Sequence, residues 1–200
     1  LAGLSWKIIG AAVISFVAAV PIMVIFVMHE YQRKRVMTFL NPENDPSGSG
    51  YHILQSKIAL GSGGFFGKGY GLGSQSQLNF LPEKHTDFIF ATLAEEFGFL
   101  GCALVLALFA AVIFMALRTA SLAHSHFGRL AAAGVTATFT LYVLINGAMV
   151  MGLAPVVGVP MPLLSWGGTV MLTVMIGWGL VQSVRVHRYS EVTSGKGAFV

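Results

Sequence analysis

The sequence predicts an all-α, polytopic transmembrane helical bundle. Hydrophobic residues make up 55% of its 200 residues and charged residues only 10%, whereas an average soluble domain is roughly 25% charged. Three long runs, 8–28, 97–117 and 130–184, contain no Asp, Glu, Lys or Arg. Because about 20 apolar residues cross a bilayer core, the first two runs predict one span each and the third predicts two.

The charge-free runs and their flanks place about four spans in a single membrane domain covering residues 1–200. The predicted spans are about 8–28, 88–117, 130–152 and 166–184. Lys and Arg residues close to the span ends favour a cytoplasmic location for both termini. Segment 29–87 then forms a large structured extracytoplasmic loop, and 185–200 forms a cytoplasmic tail. Because the sequence does not begin with Met, we expect a fragment of a longer protein.

The extracytoplasmic loop contains three recognisable stretches. HEYQRKRVMTFL combines consecutive cations with apolar residues, which is typical of a segment lying along lipid headgroups. YHILQSKIAL repeats apolar residues at helical spacing and predicts a helix. The glycine-rich run GSGGFFGKGYGLGS lacks the phosphate-loop pattern, because Ser62 stands five residues before Gly67 and Gly69 follows Lys68. We interpret this run as a flexible, turn-rich connector.

The stretch APVVGVPMPLLSWGG interrupts the third charge-free run. Its three prolines and several glycines exclude a continuous helix. It carries no charge, so a fully solvated loop is disfavoured, and its freed backbone groups need protein or a water-filled cavity around them. We expect this element, 153–168, to re-enter the membrane and wall a cavity.

The stretch LPEKHTDFIFATLAEEFGFLG places ionisable residues before and inside an apolar run. Asp87 precedes the run, as a helix-capping carboxylate does. Small residues follow on the same helical face, which would admit a close helix neighbour and turn Asp87 toward protein or a cavity. These small residues are Ala91, Ala94, Gly98 and Gly101. For Glu95 and Glu96 we expect pairing with neighbouring helices, or with helices that this chain lacks, ahead of a chemical role.

Together these features predict a carboxylate, Asp87, at the outer mouth of an intramembrane cavity, ringed by Lys84, His85, Gln55 and Lys57. Such a site suits an enzyme acting on a lipid-linked substrate, and equally a proton-coupled transporter. The net charge of +4 suits anionic lipid headgroups. No basic and aromatic groove pattern is present, so we expect membrane lipids but no nucleic acid as partners.

Two long stretches carry a resemblance to a known family. NPENDPSGSGYHILQSKIALGSGGFFGKGYGLGSQSQLNFLPEKHTDFIFATLAEEFGFLG and INGAMVMGLAPVVGVPMPLLSWGG closely resemble the SEDS (shape, elongation, division and sporulation) family, over about residues 29–188. YHILQSKIALGSGG and RVMTFLNPENDP are more similar to RodA-like elongation members than to FtsW-like division members. Family members have more spans than this chain, so it resembles only their C-terminal part.

The resemblance implies a peptidoglycan glycosyltransferase of the bacterial cytoplasmic (inner) membrane, with its active site facing outward. Such an enzyme is an inverting hexosyltransferase that polymerises lipid II into glycan strands during cell elongation. The implied partners are lipid II, undecaprenyl-pyrophosphate-linked glycan, the elongation machinery and a class B penicillin-binding protein as transpeptidase. The fragment alone is expected to be inactive, because half of the cavity wall would be missing.

The resemblance also implies roles for individual residues. The Asp of the family's HTDF motif is essential, which carries over to Asp87 as the catalytic residue. Asp87 would act as general base or hold a divalent cation, Mg²⁺ or Mn²⁺, against the pyrophosphate, and the sequence leaves both roles open. A functional Glu of division members is replaced here by Asn79, so that role does not transfer. The candidate substrate-binding residues are Lys84, His85, Gln55, Lys57, Glu83 and Ser165.

Two other functions stay open at this point. A lipid flippase or transporter would use the broken APVVGVPMPLLSWGG element for alternating access. A scaffold for the transpeptidase would use the small-residue stripe and neighbouring spans as a docking face.

Overall fold

The computed structural model describes most of the chain between residues 28 and 189. The described ranges are 28–45, 48–78, 80–81 and 85–189, with isolated positions between 7 and 23. Most of the predicted first span, 8–28, and most of the predicted tail, 185–200, lie outside the described residues. Asn79, Glu83 and Lys84 also lie outside them.

The described part of the chain contains α-helices and no strand. The helices are α1 (Glu30–Leu40), α2 (Ser49–Gly63), α3 (Ser74–Gln77), α4 (Ile89–Leu122), α5 (His126–Val150) and α6 (Gly168–Val186), with a 3₁₀ turn at Pro42–Asn44. Within these residues, α4, α5 and α6 are long and apolar enough to cross a membrane. The predicted all-α, multi-pass membrane fold is confirmed, whereas the side of the membrane that each loop faces stays a prediction.

The three long helices pack around aromatic rings. Phe109 of α4 meets Phe139 of α5 edge to face, with ring centroids 5.7 Å apart. Phe139 in turn meets Trp178 of α6 at 5.1 Å in the same geometry. Such pairs stabilise by about 0.5–1.5 kcal/mol beyond the area that they bury. The apolar residues that predict the spans therefore also form the contact between the helices.

Helix α4 is broken at Gly98, which has φ 66° and ψ −163°. Glycine reaches this region without a steric cost. The glycine-rich run GSGGFFGKGYGLGS fills the break with backbone hydrogen bonds. Lys68 N–H donates to Glu95 O at 3.0 Å, and Phe99 N–H donates to Gly64 O at 2.9 Å. The interpretation of this run as a flexible connector is therefore wrong. Its backbone groups bond to the N–H and C=O groups of α4 that have no partner within the helix at the break.

The first part of α4 packs closely on α2. A Cβ atom on Gly63 would overlap the carbonyl group of Ala94, and Ala91 and Ala94 are both buried. The close helix approach predicted from the small residues is confirmed here. The stripe does not continue as one straight face, however, because α4 changes direction at Gly98.

Asp87 precedes α4 and does not form its first turn. The helix begins at Ile89, and Phe88 occupies the N-cap position. Asp87 thus lies one position before the N-cap, and its side chain projects from a turn, 85–88. The direction of Asp87 is consequently set by what holds this turn.

Residues 151–167, which we call the Pro/Gly segment, connect α5 to α6 without helix. This interruption confirms the prediction made from the prolines. Arg35 of α1 donates a hydrogen bond from Nη1 to the carbonyl of Val156 at 2.9 Å and stacks over the ring of Tyr31. The Pro/Gly segment is thus tied to helix α1, while its depth in the membrane stays a prediction.

Candidate active site

The turn 85–88, which carries Asp87, is held by its backbone. Three consecutive carbonyl oxygens each accept a hydrogen bond from α5 or from the Pro/Gly segment. The pairs are Trp166 N–H with His85 O (2.8 Å), Ser165 Oγ with Thr86 O (2.7 Å) and Asn146 Nδ2 with Asp87 O (2.8 Å). Donors on two other segments therefore fix the position of the turn.

Asn146 is fully buried in α5 and joins two segments through one amide. Its Nδ2 donates both to Asp87 O and to Val159 O, at 2.8 and 2.7 Å. Because both neighbours are carbonyl oxygens, only the NH₂ end of the amide fits toward them. Its Oδ1 is buried without a hydrogen-bond partner among the described residues. Burying an amide in an apolar helix costs free energy unless the amide is hydrogen-bonded. The two bonds from Nδ2, to Asp87 O and Val159 O, therefore explain why an Asn is present at this position.

The carboxylate of Asp87 lies against bare backbone of the Pro/Gly segment. A Cβ atom on Gly158 would come within 3.3 Å of Asp87 Oδ2, and Gly158 has φ 79°. Asn146 holds Asp87 and also Val159, the neighbour of Gly158. A single buried side chain thus sets the spacing between the carboxylate and this backbone. Asp87 is only partly buried, so the site remains accessible.

Two predicted substrate-binding residues lie beside Asp87. His85 is exposed, and its ring lies 6.3 Å from that of Trp166. Ser165 uses its hydroxyl group twice: it donates to the turn and accepts the N–H of Met161 at 2.7 Å. The structure therefore gives Ser165 a structural contact at the site, while substrate binding by either residue stays a prediction.

Two further candidates, Gln55 and Lys57, lie on α2. Gln55 is partly buried, whereas Lys57 is exposed and packs so closely over Gly152 that a Cβ there would overlap its side chain. The intervening Ser56 donates to Val150 O at 2.7 Å, which docks α2 on the end of α5. The structure thus brings His85 and Ser165 to Asp87, places Lys57 at the junction of α2 and α5, and describes neither Glu83 nor Lys84.

A family model for cell cycle proteins, which covers FtsW, RodA and SpoVE, matches residues 1–190. This chain belongs to that family. The SEDS resemblance drawn from the sequence motifs is thereby confirmed.

Several relatives of the SEDS chain have known names. It is 54% identical over 188 residues to the peptidoglycan glycosyltransferase MrdB of Escherichia coli (strain K12), covering 94% of this chain and 51% of the relative. It is 40% identical over 183 residues to the peptidoglycan glycosyltransferase RodA of Treponema pallidum, covering 92% and 42%. It is 42% identical over 161 residues to the stage V sporulation protein E of Bacillus subtilis, covering 80% and 43%. The chain spans about half the length of the curated relatives that it matches.

A solved structure shares the fold of the SEDS chain. It describes structural coordination of polymerization and crosslinking by a peptidoglycan synthase complex. The similar chain superposes with a TM-score of 0.73 at 27% identity, covering 94% of this chain and 51% of the other. The arrangement of α4, α5 and α6 is therefore that of a known SEDS-type fold.

A second acidic centre of the SEDS chain lies at the break in α4. Glu95 is fully buried, and its Oε1 accepts a hydrogen bond from Lys68 Nζ at 2.7 Å. The same oxygen accepts from Ser74 Oγ and Gln75 N–H, and Oε2 accepts from Ser76 N–H. The prediction that Glu95 is paired is confirmed, but the predicted partner is wrong. Its donors belong to the glycine-rich run and to the short helix α3 that follows, and not to another long helix. Pairing of the Glu96 side chain stays a prediction.

Sequence reasoning missed Lys68 and Asn146. For Lys68 a signal exists, because a carboxylate inside an apolar run requires a cation, and the preceding loop supplies several. Asn146 also stands out as an amide in an apolar run, which is costly unless it is bonded. Its acceptors are backbone carbonyls, however, and no residue type marks a carbonyl that needs a donor.

Among the described residues, no group of three or more His, Cys, Asp and Glu side chains is placed to hold a metal ion. Within this part of the chain, Asp87 would offer a cation one carboxylate. Mg²⁺ frequently binds through one or two carboxylates together with substrate phosphates. One carboxylate suits a cation only when other oxygen ligands complete its shell, so a divalent cation at Asp87 stays a prediction.

Proposed function

We propose that this chain forms the C-terminal part of a peptidoglycan glycosyltransferase that polymerises lipid II into glycan strands during cell elongation. The observation that carries the proposal is the anchored turn 85–88, which presents the carboxylate of Asp87 at a partly exposed edge against Gly158. Relatives named peptidoglycan glycosyltransferase support the reaction class.

In the proposed reaction, a sugar hydroxyl attacks the anomeric carbon of a lipid-linked donor. The bond from that carbon to the pyrophosphate oxygen breaks, and the bonding electron pair stays on that oxygen. The leaving group is thus the polyprenyl pyrophosphate. An α-linked donor yields a β-linked product, so one displacement with inversion needs a single base. We assign this role to Asp87, whose carboxylate takes the proton of the attacking hydroxyl.

The backbone anchors of the turn suit this role. A general base must lie within hydrogen-bond reach of the proton that it removes, and small displacements reduce the rate strongly. Asn146 and Ser165 hold the carbonyls of Asp87 and Thr86. They therefore fix the turn through its backbone and act as positioning residues.

Asp87 has a second candidate role, which is to hold a divalent cation. A cation bound with the substrate would neutralise the pyrophosphate as it leaves. Asp87 would hold it through one carboxylate, and the phosphates would supply other oxygens. Mg²⁺ or Mn²⁺ fits these hard ligands, and a requirement for either in the assay would support this role.

We further propose that the protein acts at the outer face of the bacterial cytoplasmic membrane with a class B penicillin-binding protein as transpeptidase. The similar solved chain comes from a complex that couples polymerization to crosslinking, which supports such a partner. In the most apolar 18-residue stretches of α4 and α6, only 17% and 6% of the residues are buried within the described chain. Both helices therefore have apolar faces available for lipid or a partner helix. The growing chain on undecaprenyl pyrophosphate would be the second substrate, and the elongation machinery the wider assembly.

The test is polymerisation of lipid II by the full-length protein with its transpeptidase partner in vesicles. Asp87→Asn should lower glycan formation by about 100- to 10,000-fold while lipid II still binds. Asp45→Asn makes the same change elsewhere in the extracytoplasmic loop and should leave the rate at the wild-type level. Polymerisation retained in Asp87→Asn contradicts the proposal, and lipid movement across vesicles without polymerisation would favour a flippase.

A further inference from the structure

A groove of about 490 Å³ runs between α5 and α6. Its lining residues recur at helical spacing, so the groove follows one face of each helix. On α5 the lining includes Val135, Phe139 and Tyr142, and on α6 it extends from Thr169 to Leu180. The feature is therefore a furrow along two membrane-spanning helices and not a closed pocket.

The groove presents hydrocarbon although threonines line it. Thr138 Oγ donates to Gly134 O at 3.0 Å, and Thr173 Oγ donates to Thr169 O at 2.8 Å. A hydroxyl bonded to its own helix has satisfied its donor, which lets the residue sit in an apolar surface. The groove therefore suits an apolar chain better than a polar headgroup.

The groove begins next to the candidate active site. Thr169 follows Trp166 by three residues, and the N–H of Trp166 holds the carbonyl of His85 in the turn that carries Asp87. Thr169 and Leu180, the two ends of the lining on α6, are eleven positions apart. This stretch corresponds to about 16 Å of helix. The groove thus leads from the site along a helix that crosses the membrane.

We propose that this groove binds the polyprenyl chain of the lipid-linked substrate, a role that rests on the function proposed above. Sugar, pyrophosphate and polyprenyl chain are covalently continuous. A sugar placed at Asp87 therefore brings the first isoprene units to the end of the groove at Thr169. Binding of the chain there holds the scissile bond toward the carboxylate and makes chain length a determinant of apparent affinity.

Variants that fill the groove test this proposal against matched changes on another face of α6. Thr173→Phe and Gly177→Leu add bulk inside the groove. Leu172→Phe and Gly179→Leu add bulk outside it, where Leu172 is 63% exposed and no atom lies within 4 Å of a Cβ on Gly179. Each full-length variant is assayed with lipid II carrying its long natural chain and with an analogue carrying a short chain.

We expect the groove-filling variants to raise KM for the long-chain substrate about tenfold. The rate with the short-chain analogue and the melting temperature should stay at the wild-type level, and the control variants should match the wild type on both substrates. Gly177→Leu lies close to Val135, so Thr173→Phe tests the groove if Gly177→Leu folds poorly.

The groove assignment would be overturned by an unchanged KM for the long-chain substrate in Thr173→Phe, or by an equal loss of activity on both substrates. Crosslinking supplies a third test, because a Thr173→Cys variant that crosslinks to another segment of the protein would show that this segment covers the groove. A wild-type protein that polymerises neither substrate would instead refute the proposed function. The two failures are therefore distinguishable.

Discussion

Asp87 and Glu95 are two carboxylates near the same end of α4, and the protein holds them in opposite ways. Glu95 is fully buried, and Lys68, Ser74, Gln75 and Ser76 all donate to its side-chain oxygens. At Asp87 the anchors contributed by Asn146 and the Pro/Gly segment bind backbone carbonyls of the turn. The side-chain contacts of Glu95 hold two segments of the chain together, whereas the anchors from Asn146 and Ser165 fix the position of the turn that carries Asp87.

The difference has an energetic side. Burying a carboxylate is costly unless a cation and hydrogen-bond donors satisfy it. Glu95 meets that requirement, and in doing so it ties the glycine-rich run to the break in α4. Asp87 is only partly buried, so its charge carries a smaller desolvation cost. The two acidic centres should consequently respond to mutation in different measurements.

The largest effect on stability is expected at the ion pair between the partly exposed Lys68 and the fully buried Glu95. Lys68→Ala leaves Glu95 buried without its cation, which should lower the free energy of unfolding by about 3–5 kcal/mol. Asp87→Asn should lower it by less than about 1 kcal/mol, since it changes a partly exposed group that does not pack a core. Thermal unfolding in detergent measures both. Similar losses in the two variants would break the contrast between the sites.

A double variant sharpens the same contrast. Lys68→Met combined with Glu95→Leu removes both charges and should be more stable than Lys68→Ala alone, because no unpaired buried charge remains. The control is Lys57→Met, which removes an exposed cation of the same loop. A double variant less stable than Lys68→Ala would mean that the hydrogen bonds from Gln75 N–H and Ser76 N–H to the Glu95 side chain, and not its charge, dominate the stability of this site.

The next effect is expected where α2 meets α4. Gly63→Ala should lower the free energy of unfolding by about 1–3 kcal/mol, because its Cβ would overlap the carbonyl of Ala94. Gly61→Ala, on the same helix with open space around it, should be neutral or stabilising. The free energies of unfolding of the two variants are compared by chemical or thermal unfolding. Equal values would contradict close packing of α2 on α4 at Gly63.

A smaller effect on stability is expected at Asn146. Asn146→Ala leaves the carbonyls of Asp87 and Val159 without their donor and should cost about 1–2 kcal/mol. Glycan formation should also fall about tenfold, because the turn loses an anchor. Thr136→Val removes a buried hydroxyl that bonds within the same helix and should leave glycan formation unchanged. A normal rate in Asn146→Ala would show that backbone anchoring does not position the carboxylate.

The smallest effect is expected at Ser165. Ser165→Ala removes the hydroxyl between Thr86 O and Met161 N–H and should cost about 1 kcal/mol. Hydrogen exchange should become faster at Met161 in the Pro/Gly segment. Ser62→Ala, which removes a hydroxyl bonded within α2, should leave that exchange unchanged. Unchanged exchange in Ser165→Ala would argue against its anchoring role.

The sequence by itself determined the class of the fold and the interruption between α5 and α6, and it singled out Asp87 as the candidate catalytic carboxylate. Charge-free runs of sufficient length enter a bilayer whatever they pack against. Prolines break a helix for reasons that lie within the residue itself. Asp87 stands out because a carboxylate directly before an apolar run is conspicuous and because the SEDS motif around it is specific, and its catalytic role stays a prediction.

Only the tertiary structure decided how the two carboxylates are held. Lys68 meets Glu95 across 27 positions, and Asn146 meets the carbonyl of Asp87 across 59. Their partners are distant in the chain, and several are backbone groups that every residue carries. Local patterns encode helix and span because those depend on neighbouring residues, whereas these contacts depend on which segments the folded bundle brings side by side.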